Sequence, residues 1–376
     1  MANIFLNGLK SKTGGGKSIL NNYLGLLHES KSKDRYFILT PNKNEYEKYS
    51  SDFIEIIDID NLYKKQLLFP FVNHFVLPKL LKQLKIDALF NIGDIVIPTK
   101  LPQVYLFDWP YAAYPESIVW KRMDMQSYLN RMIKMYFFKK YIREATTVIA
   151  QTRTMKEKLQ SLYDLKNIEI IPNAVSLENV GGGEPFDFNL PMEKTKLLYL
   201  TYYYSHKNIE VFLPLAKKIK ALNLPYCIVV TIAPEQHKRA KTFLNTVKKE
   251  SLDETIVNVG PVAMMRVPSL YAQTDALLMP TLLESFSGTY VEAMFHQKII
   301  LTSDLDFAKD VCGGAALYFD PVNSDSILDT VNVAFDGDAM RKSKIDEGKN
   351  RLSQMLTWKQ AFDKYQNLLE KAVADI

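Results

Sequence analysis

Two glutamates eight positions apart, Glu284 and Glu292, bracket the small residues Ser287, Gly288 and Thr289 in the stretch Met279–Met294. If residues 276–279 form a strand, Glu284 falls in the loop at its C-terminal end and Glu292 in the first turns of a helix beginning near Gly288. The two carboxylates then sit in different surroundings and do different work. Between them, residues 287–289 leave backbone N–H groups open at a helix start, where unpaired donors and the positive dipole end favour a phosphate. The dipole contributes roughly 0.3–1 kcal/mol, or about 2 kcal/mol when partly buried, so a diphosphate suits this place. Taken alone, two glutamates at this spacing are usually just a solvated helix face; the preceding strand and the small-residue helix start set this pair apart. A second loop, Lys12-Thr13-Gly14-Gly15-Gly16-Lys17-Ser18, follows the first apolar run and opens a helix. Ser11 stands where a phosphate-binding Walker loop needs its first glycine, so an ATPase or kinase reading fails at that position.

These loops need a scaffold of strands, and the sequence supplies one. Short apolar runs alternate with longer amphipathic stretches, the signature of βαβ units and parallel sheets. In the first half the strand candidates are residues 3–7, 36–40, 53–57, 88–91, 103–107, 147–151 and 168–171. After the breaker-rich stretch from Gly181 to Pro191 the pattern restarts at 196–201, 226–232, 256–259, 276–279, 299–302 and 316–319. We therefore expect an α/β chain of two doubly wound, Rossmann-like domains, 1–175 and 196–356, joined by a linker over 176–195. A helix at 357–376 places Trp358, Phe362, Tyr365 and Leu369 on one apolar face, which needs a partner such as the first domain. In such sheets ligands bind beyond the C-terminal strand ends, and with two domains the expected site is the cleft between them.

With these motifs in this order, the chain resembles the retaining glycosyltransferases of GT-B fold, in the large family (family 4-like, group 1) that includes sucrose synthase and bacterial mannosyl- and galactosyltransferases. Ile171-Pro172-Asn173-Ala174-Val175 is similar to that family's junction motif, and Ser205-His206-Lys207-Asn208 to its lysine loop. Thr302-Ser303-Asp304 with the run Cys312–Pro321 resembles its late segment. The resemblance implies that Glu284 contacts the donor sugar hydroxyls and that Glu292 holds the nucleotide ribose. It further implies that the Lys207 ammonium supports the departing diphosphate by charge, not by proton transfer. Val262, after Gly260-Pro261, would touch the nucleobase. Gly14, Gly15 and Gly16 would allow close backbone approach to donor phosphate and acceptor.

Two departures stand out: Tyr202 occupies the place of a family arginine, and Asp108 that of a family histidine, where it either contacts a sugar or acceptor hydroxyl or caps a turn before Pro110. His206 either lines the site or is structural. The implied reaction is hexose transfer from a UDP- or GDP-sugar to a saccharide or glycolipid, with retention and without a required metal, in surface polysaccharide or glycoconjugate synthesis. The competing reading is a non-catalytic GT-B protein that binds nucleotide sugars, supported by Tyr202 and Asp108 and opposed by the intact Glu284, Glu292 and Lys207.

Composition limits the alternatives. A chain of 376 residues, 47% hydrophobic, exceeds one ordinary core and can build two. No apolar run approaches the roughly 18–20 residues that span a bilayer, and the N-terminus reads as a strand, so the expected location is cytoplasmic. Cys227 and Cys312 stand apart from any metal-ligand pattern and read as core residues. The net charge of +5 would suit a nucleic acid, an anionic lipid or a phosphorylated substrate, but it is small for the length and decides little; no nucleic-acid partner is expected. The charge is concentrated, however: residues 121–166 carry eleven basic against four acidic side chains. That stretch, with Met132–Tyr141 at its centre, either lies on an anionic membrane face or packs on a sheet by its aromatics with its lysines in solvent.

Overall fold

The computed structural model describes residues 1–374 except 13, 65–67, 94 and 175–181. Thr13, Val175 of the junction motif and residues 176–181 of the expected linker thus lie outside the described residues. Among the described residues there are two parallel sheets. The first contains β1 (Asn3–Asn7), β2 (Arg35–Leu39), β3 (Ile54–Ile57), β4 (Ala88–Asn91), β5 (Gln103–Leu106), β6 (Thr147–Ala150) and β7 (Ile168–Ile170), in the order β3-β2-β1-β4-β5-β6-β7. The second contains β8 (Thr195–Tyr199), β9 (Tyr226–Val230), β10 (Ile256–Asn258), β11 (Ala276–Met279), β12 (Ile299–Ser303) and β13 (Ala316–Phe319), in the order β10-β9-β8-β11-β12-β13. Strands β4, β5, β9, β11 and β12 are buried at every residue, as a parallel sheet covered by helices on both faces requires. Several strands stop one or two residues before the apolar run does: β2 ends before Thr40, β5 before Phe107, and β8 before Leu200 and Thr201. The ladder ends where the backbone turns into the loops that carry chemistry. β8 begins at Thr195, inside the stretch read as linker.

The chain divides into two compact units. The first comprises Met1–Glu116, Met123–Ala174 and Leu356–Ile376. Its C-terminal helix, Trp358–Ala374, buries Ala361, Phe362, Tyr365, Leu369 and Ala372. They join one core cluster with Tyr23 and Phe90. Phe362 lies 5.2 Å from Tyr23 and Tyr365 lies 5.3 Å from Phe90, ring centre to ring centre. Gln366 satisfies two otherwise buried phenols, donating to the Tyr23 hydroxyl at 3.0 Å and accepting from Tyr36 at 2.8 Å. The Tyr365 hydroxyl has no such partner among the described residues. An unsatisfied buried hydroxyl costs about 1–3 kcal/mol, so Tyr365→Phe should raise stability by about 1 kcal/mol, read as a higher thermal midpoint. A lower midpoint would show that the hydroxyl contributes to the fold.

The second unit comprises Val175–Met355 together with Ser117–Arg122. That short segment, read from sequence as part of the first domain, groups instead with the second half of the chain. It ends in a helical turn, Val119–Arg122, whose Arg122 side chain donates to Asn208 Oδ1 at 2.6 Å. Cys227 and Cys312 are free, buried thiols, and burial pushes the Cys227 thiol up to about 11.

Candidate active site

In the second sheet the strand order reverses between β8 and β11, and in doubly wound sheets ligands bind beyond the C-terminal strand ends at such a point. The loop after β8 carries Lys207 and the loop after β11 carries Glu284. The Lys207 ammonium is bonded directly to Glu284 Oε1. At 8% exposure Glu284 needs such partners, since an unpaired buried carboxylate is costly. Thr281 Oγ1 supplies a second, donating to Oε1 at 3.0 Å.

The two loops are stapled by their backbones. Leu282 N donates to the His206 carbonyl at 2.8 Å, and the Tyr199 hydroxyl donates to the Lys207 carbonyl at 2.8 Å. Asn208 adds a third loop. Its left-handed backbone, φ 55°, is one that asparagine tolerates, and its Nδ2 donates to Pro280 O at 3.1 Å and to Pro321 O at 2.7 Å. The residues of the late segment also have structural work here. Ser303 Oγ donates to Thr281 O at 2.6 Å, and Thr302 Oγ1 donates to Met279 O at 3.0 Å. These bonds tie together the loops that carry Lys207 and Glu284.

Ser287 stands at the N-cap of the helix Gly288–Phe295 with extended backbone, and its side chain makes no capping bond. The helix start at Gly288 and Thr289 is thus left without the side-chain acceptor that usually neutralises it. One turn in, Glu292 accepts from the Tyr271 hydroxyl at 3.4 Å, and the same hydroxyl reaches the Thr289 carbonyl at 3.3 Å. Tyr271 is itself stacked on His296, with centroids 4.6 Å apart. Burial pushes the Glu292 carboxyl up to about 7, and the Tyr271 bond opposes that shift. A glutamate held in this state takes up or releases its proton near neutrality.

The remaining candidates lie around this group. Val262 is in the loop after β10, which turns at Gly260 with φ 72°. Tyr202 is exposed and leans on Tyr204, which stacks on His206 at 5.4 Å. His206 is thus placed beside Lys207, with its carbonyl in the loop staple and its ring on Tyr204. In the first unit, Gly14 has φ 58°, and a Cβ added at Gly14 or Gly15 meets nothing within 4 Å. At Gly16 an added Cβ would meet Ser11 at 3.5 Å, an ordinary contact. Lys17, the lysine of the near-Walker motif, is paired with Glu45 at 2.6 Å. Asp108 is half-buried two residues beyond the end of β5, ahead of the turn Pro110–Ala112.

The structure brings Lys207, Glu284 and the His206 backbone together, and ties Glu292 to the helix start through Tyr271. Gly14, Gly15, Gly16 and Asp108 belong to the other unit. Thr281, Tyr199, Tyr271 and Arg122 are neighbours that sequence reasoning missed. A threonine three residues before the key glutamate was a usable signal for the first. Nothing local marks Arg122, whose partner is 86 residues away.

Comparison with known proteins gives this geometry an enzyme class. The model described as glycosyl transferases group 1 matches residues 184–351, and that described as glycosyltransferase family 4 matches residues 30–179. Both models describe glycosyltransferases and between them they match most of the chain, which is a glycosyltransferase. It is 23% identical over 198 residues to the O-antigen chain mannosyltransferase RfbU of Salmonella typhimurium, an alignment that covers 52% of this glycosyltransferase and 52% of that relative. The chain thus spans about half the length of the curated relative it matches. Sucrose-phosphate synthase from Thermosynechococcus elongatus has a similar structure, with TM-score 0.75 and 13% identity over 100% of each chain. HepE of Anabaena, solved with UDP and glucose, gives TM-score 0.72 and 14% identity over 98% of this glycosyltransferase and 100% of its own chain. Both sheets, the strand orders and these neighbours describe a GT-B fold.

Proposed function

We propose that this glycosyltransferase moves a hexose from a UDP- or GDP-linked donor to a saccharide or glycolipid acceptor, with retention at the anomeric carbon, in the synthesis of a surface polysaccharide or glycoconjugate. The observation that carries the reading is the direct Lys207–Glu284 pair beside the uncapped helix start at residues 287–289. The solved relative's UDP and glucose and the O-antigen name of the curated relative point the same way.

In this reading the diphosphate sits on the amides of Ser287, Gly288 and Thr289, with Lys207 beside it. Glu284 accepts from donor sugar hydroxyls, Glu292 from the ribose hydroxyls, and Val262 borders the base. Tyr202 and His206 flank the phosphates. The acceptor oxygen bonds to the anomeric carbon on the face from which the nucleoside diphosphate leaves. The bond to the diphosphate oxygen breaks, and the acceptor proton passes to a phosphate oxygen. Catalysis then rests on positioning and on a preorganised charge for the departing phosphate. The first unit, with Asp108 and Gly14–Gly16, serves the acceptor. The enzyme acts on the cytoplasmic side.

A thermal-shift panel of nucleoside diphosphates and sugar nucleotides tests the donor class, because a ligand bound only by the folded state stabilises it. A UDP or GDP compound should raise the midpoint by several degrees. A flat panel, or a shift with ATP alone, overturns the donor assignment; binding without transfer to any saccharide or glycolipid favours the non-catalytic alternative.

A further inference from the structure

The helix Met125–Tyr141 has two apolar faces. One is buried through Met135, Phe138 and Tyr141. The other is exposed: Met125, Tyr128, Leu129, Met132, Ile133 and Tyr136 recur at three- and four-residue steps and are 37–71% accessible. They form one stripe about 16 Å long on a helix rising 1.5 Å per residue. The aromatics therefore do pack on the body, as one of the two sequence readings requires, but they leave a second hydrophobic face outside.

A second pair of exposed aromatics is linked to the end of the helix by ring contacts. Tyr136 meets Phe137 edge-on at 5.3 Å, Phe137 stacks on Tyr141 at 6.2 Å, and Tyr141 bonds His74 through its hydroxyl at 2.7 Å. His74 in turn meets Phe75, which is 59% exposed and 5.3 Å from the exposed Phe71. Through the buried Tyr141 ring, these contacts link the end of the stripe to a second pair of exposed aromatics from a distant part of the sequence.

Charge decides what covers this surface. The helix contains no acidic residue; its N-cap, Asp124, is spent on Ser127 N. Arg131 and Lys134 are turned onto the Tyr111 and Trp109 rings, 4.6 and 4.1 Å from their centres. Lys139 and Lys140 are exposed at the end of the stripe. A second copy of the chain would set these lysines against each other, and a nucleic acid offers nothing for Met132, Leu129 and Ile133. An anionic bilayer offers both an apolar interior and negative headgroups. No described helix is long and apolar enough to cross a membrane, so the contact is one of lying on the surface.

We infer that the exposed face of Met125–Tyr141, extended by Phe75 and Phe71, docks this enzyme on an anionic membrane surface. The inference goes beyond the donor reading and does not depend on it.

Flotation of the full chain with vesicles tests it. Binding to phosphatidylcholine vesicles doped with phosphatidylglycerol should be at least about tenfold stronger than to phosphatidylcholine alone, and should fall in about 1 M salt, where the screening length is about 3 Å. The pairs Met132→Glu with Ile133→Glu, and Lys139→Glu with Lys140→Glu, should each lose about tenfold or more. As these positions are solvent-facing, thermal midpoints should be unchanged. If a glutamate pair fails to fold, Tyr136→Trp serves instead, its emission shifting to the blue on adding anionic vesicles. A wild-type chain that stays with the soluble fraction, binding indifferent to all four residues, or a dimer broken by the Met132 and Ile133 changes would each overturn the proposal. Nucleotide-induced stabilisation, measured without lipid, reports the donor reading separately.

Discussion

Lys207→Ala should lower turnover by about a hundred- to a thousandfold while leaving the donor KM within a few fold, the loss expected when one preorganised charge is removed from a departing phosphate. The expectation follows from where the ammonium is held. It is bonded to Glu284, and its backbone is fixed by Tyr199 and by the staple between the loops after β8 and β11. Removing it also strips the Glu284 carboxylate of its ion partner, leaving Thr281, and breaking a buried pair on one side costs roughly 3–5 kcal/mol. Instability and lost catalysis must therefore be separated. Lys207→Ala combined with Glu284→Gln relieves the unpaired charge, so its midpoint should recover most of the way to wild type while turnover stays low. Steady-state transfer assays beside thermal unfolding give the answer. A Lys207→Ala enzyme within about tenfold of wild-type turnover would remove the lysine from the reaction.

Donor binding should strengthen as pH rises through about 7, and Glu292→Gln should flatten that dependence. The cause is burial, which holds the Glu292 carboxyl at about 7 in the free protein, whereas ribose hydroxyls need an acceptor and so favour the ionised form. From pH 8 to pH 6 the affinity should fall by up to about tenfold. Glu292→Ala removes hydrogen bonds to a charged group worth roughly 1.5–3 kcal/mol each, enough to abolish the nucleotide-induced thermal shift at ordinary concentrations.

Stability carries the opposite sign. Below about pH 4 the folded and unfolded chains both hold this proton, and the group contributes nothing. As pH rises the unfolded chain ionises first, so the free protein loses stability between about 4.5 and 7 and carries the full penalty above 7. Thermal midpoints of wild type and Glu292→Gln should accordingly coincide near pH 4 and diverge in favour of the glutamine variant towards pH 8. Parallel curves across that range would show that Glu292 is ionised throughout, and the binding argument would fall with it.

Much of the frame was legible because it rests on local patterns. Strands buried on both faces must be near-continuous apolar runs, so all thirteen described strands could be placed from the sequence, with errors of a residue or two at their ends. Those errors fall mostly at the C-terminal ends, where Thr40, Phe107 and Thr201 keep an apolar or β-branched character but leave the ladder to start a loop. The C-terminal helix was legible for a similar reason: Phe362, Tyr365 and Leu369 repeat at the helical period. Its docking surface was not, because Tyr23, Tyr36 and Phe90 lie hundreds of residues earlier.

The same division holds at the site. Residue types and spacing were enough to single out Glu284, Lys207, Glu292 and the helix start at 287–289, since a helix N-terminus and its small residues are local features. They could not show that Lys207 and Glu284 are bonded, that Asn208 ties three loops together, or that Tyr271 reaches Glu292. Those contacts depend on β8 and β11 being neighbours where the strand order reverses, a choice made by the packing of the whole sheet. The sequence by itself determined the elements, the two sheets and the chemistry their loops can offer. Only the tertiary structure decided which loops meet, which carboxyl is desolvated and which helix face stays in water, because burial and charge pairing are properties of neighbours in space.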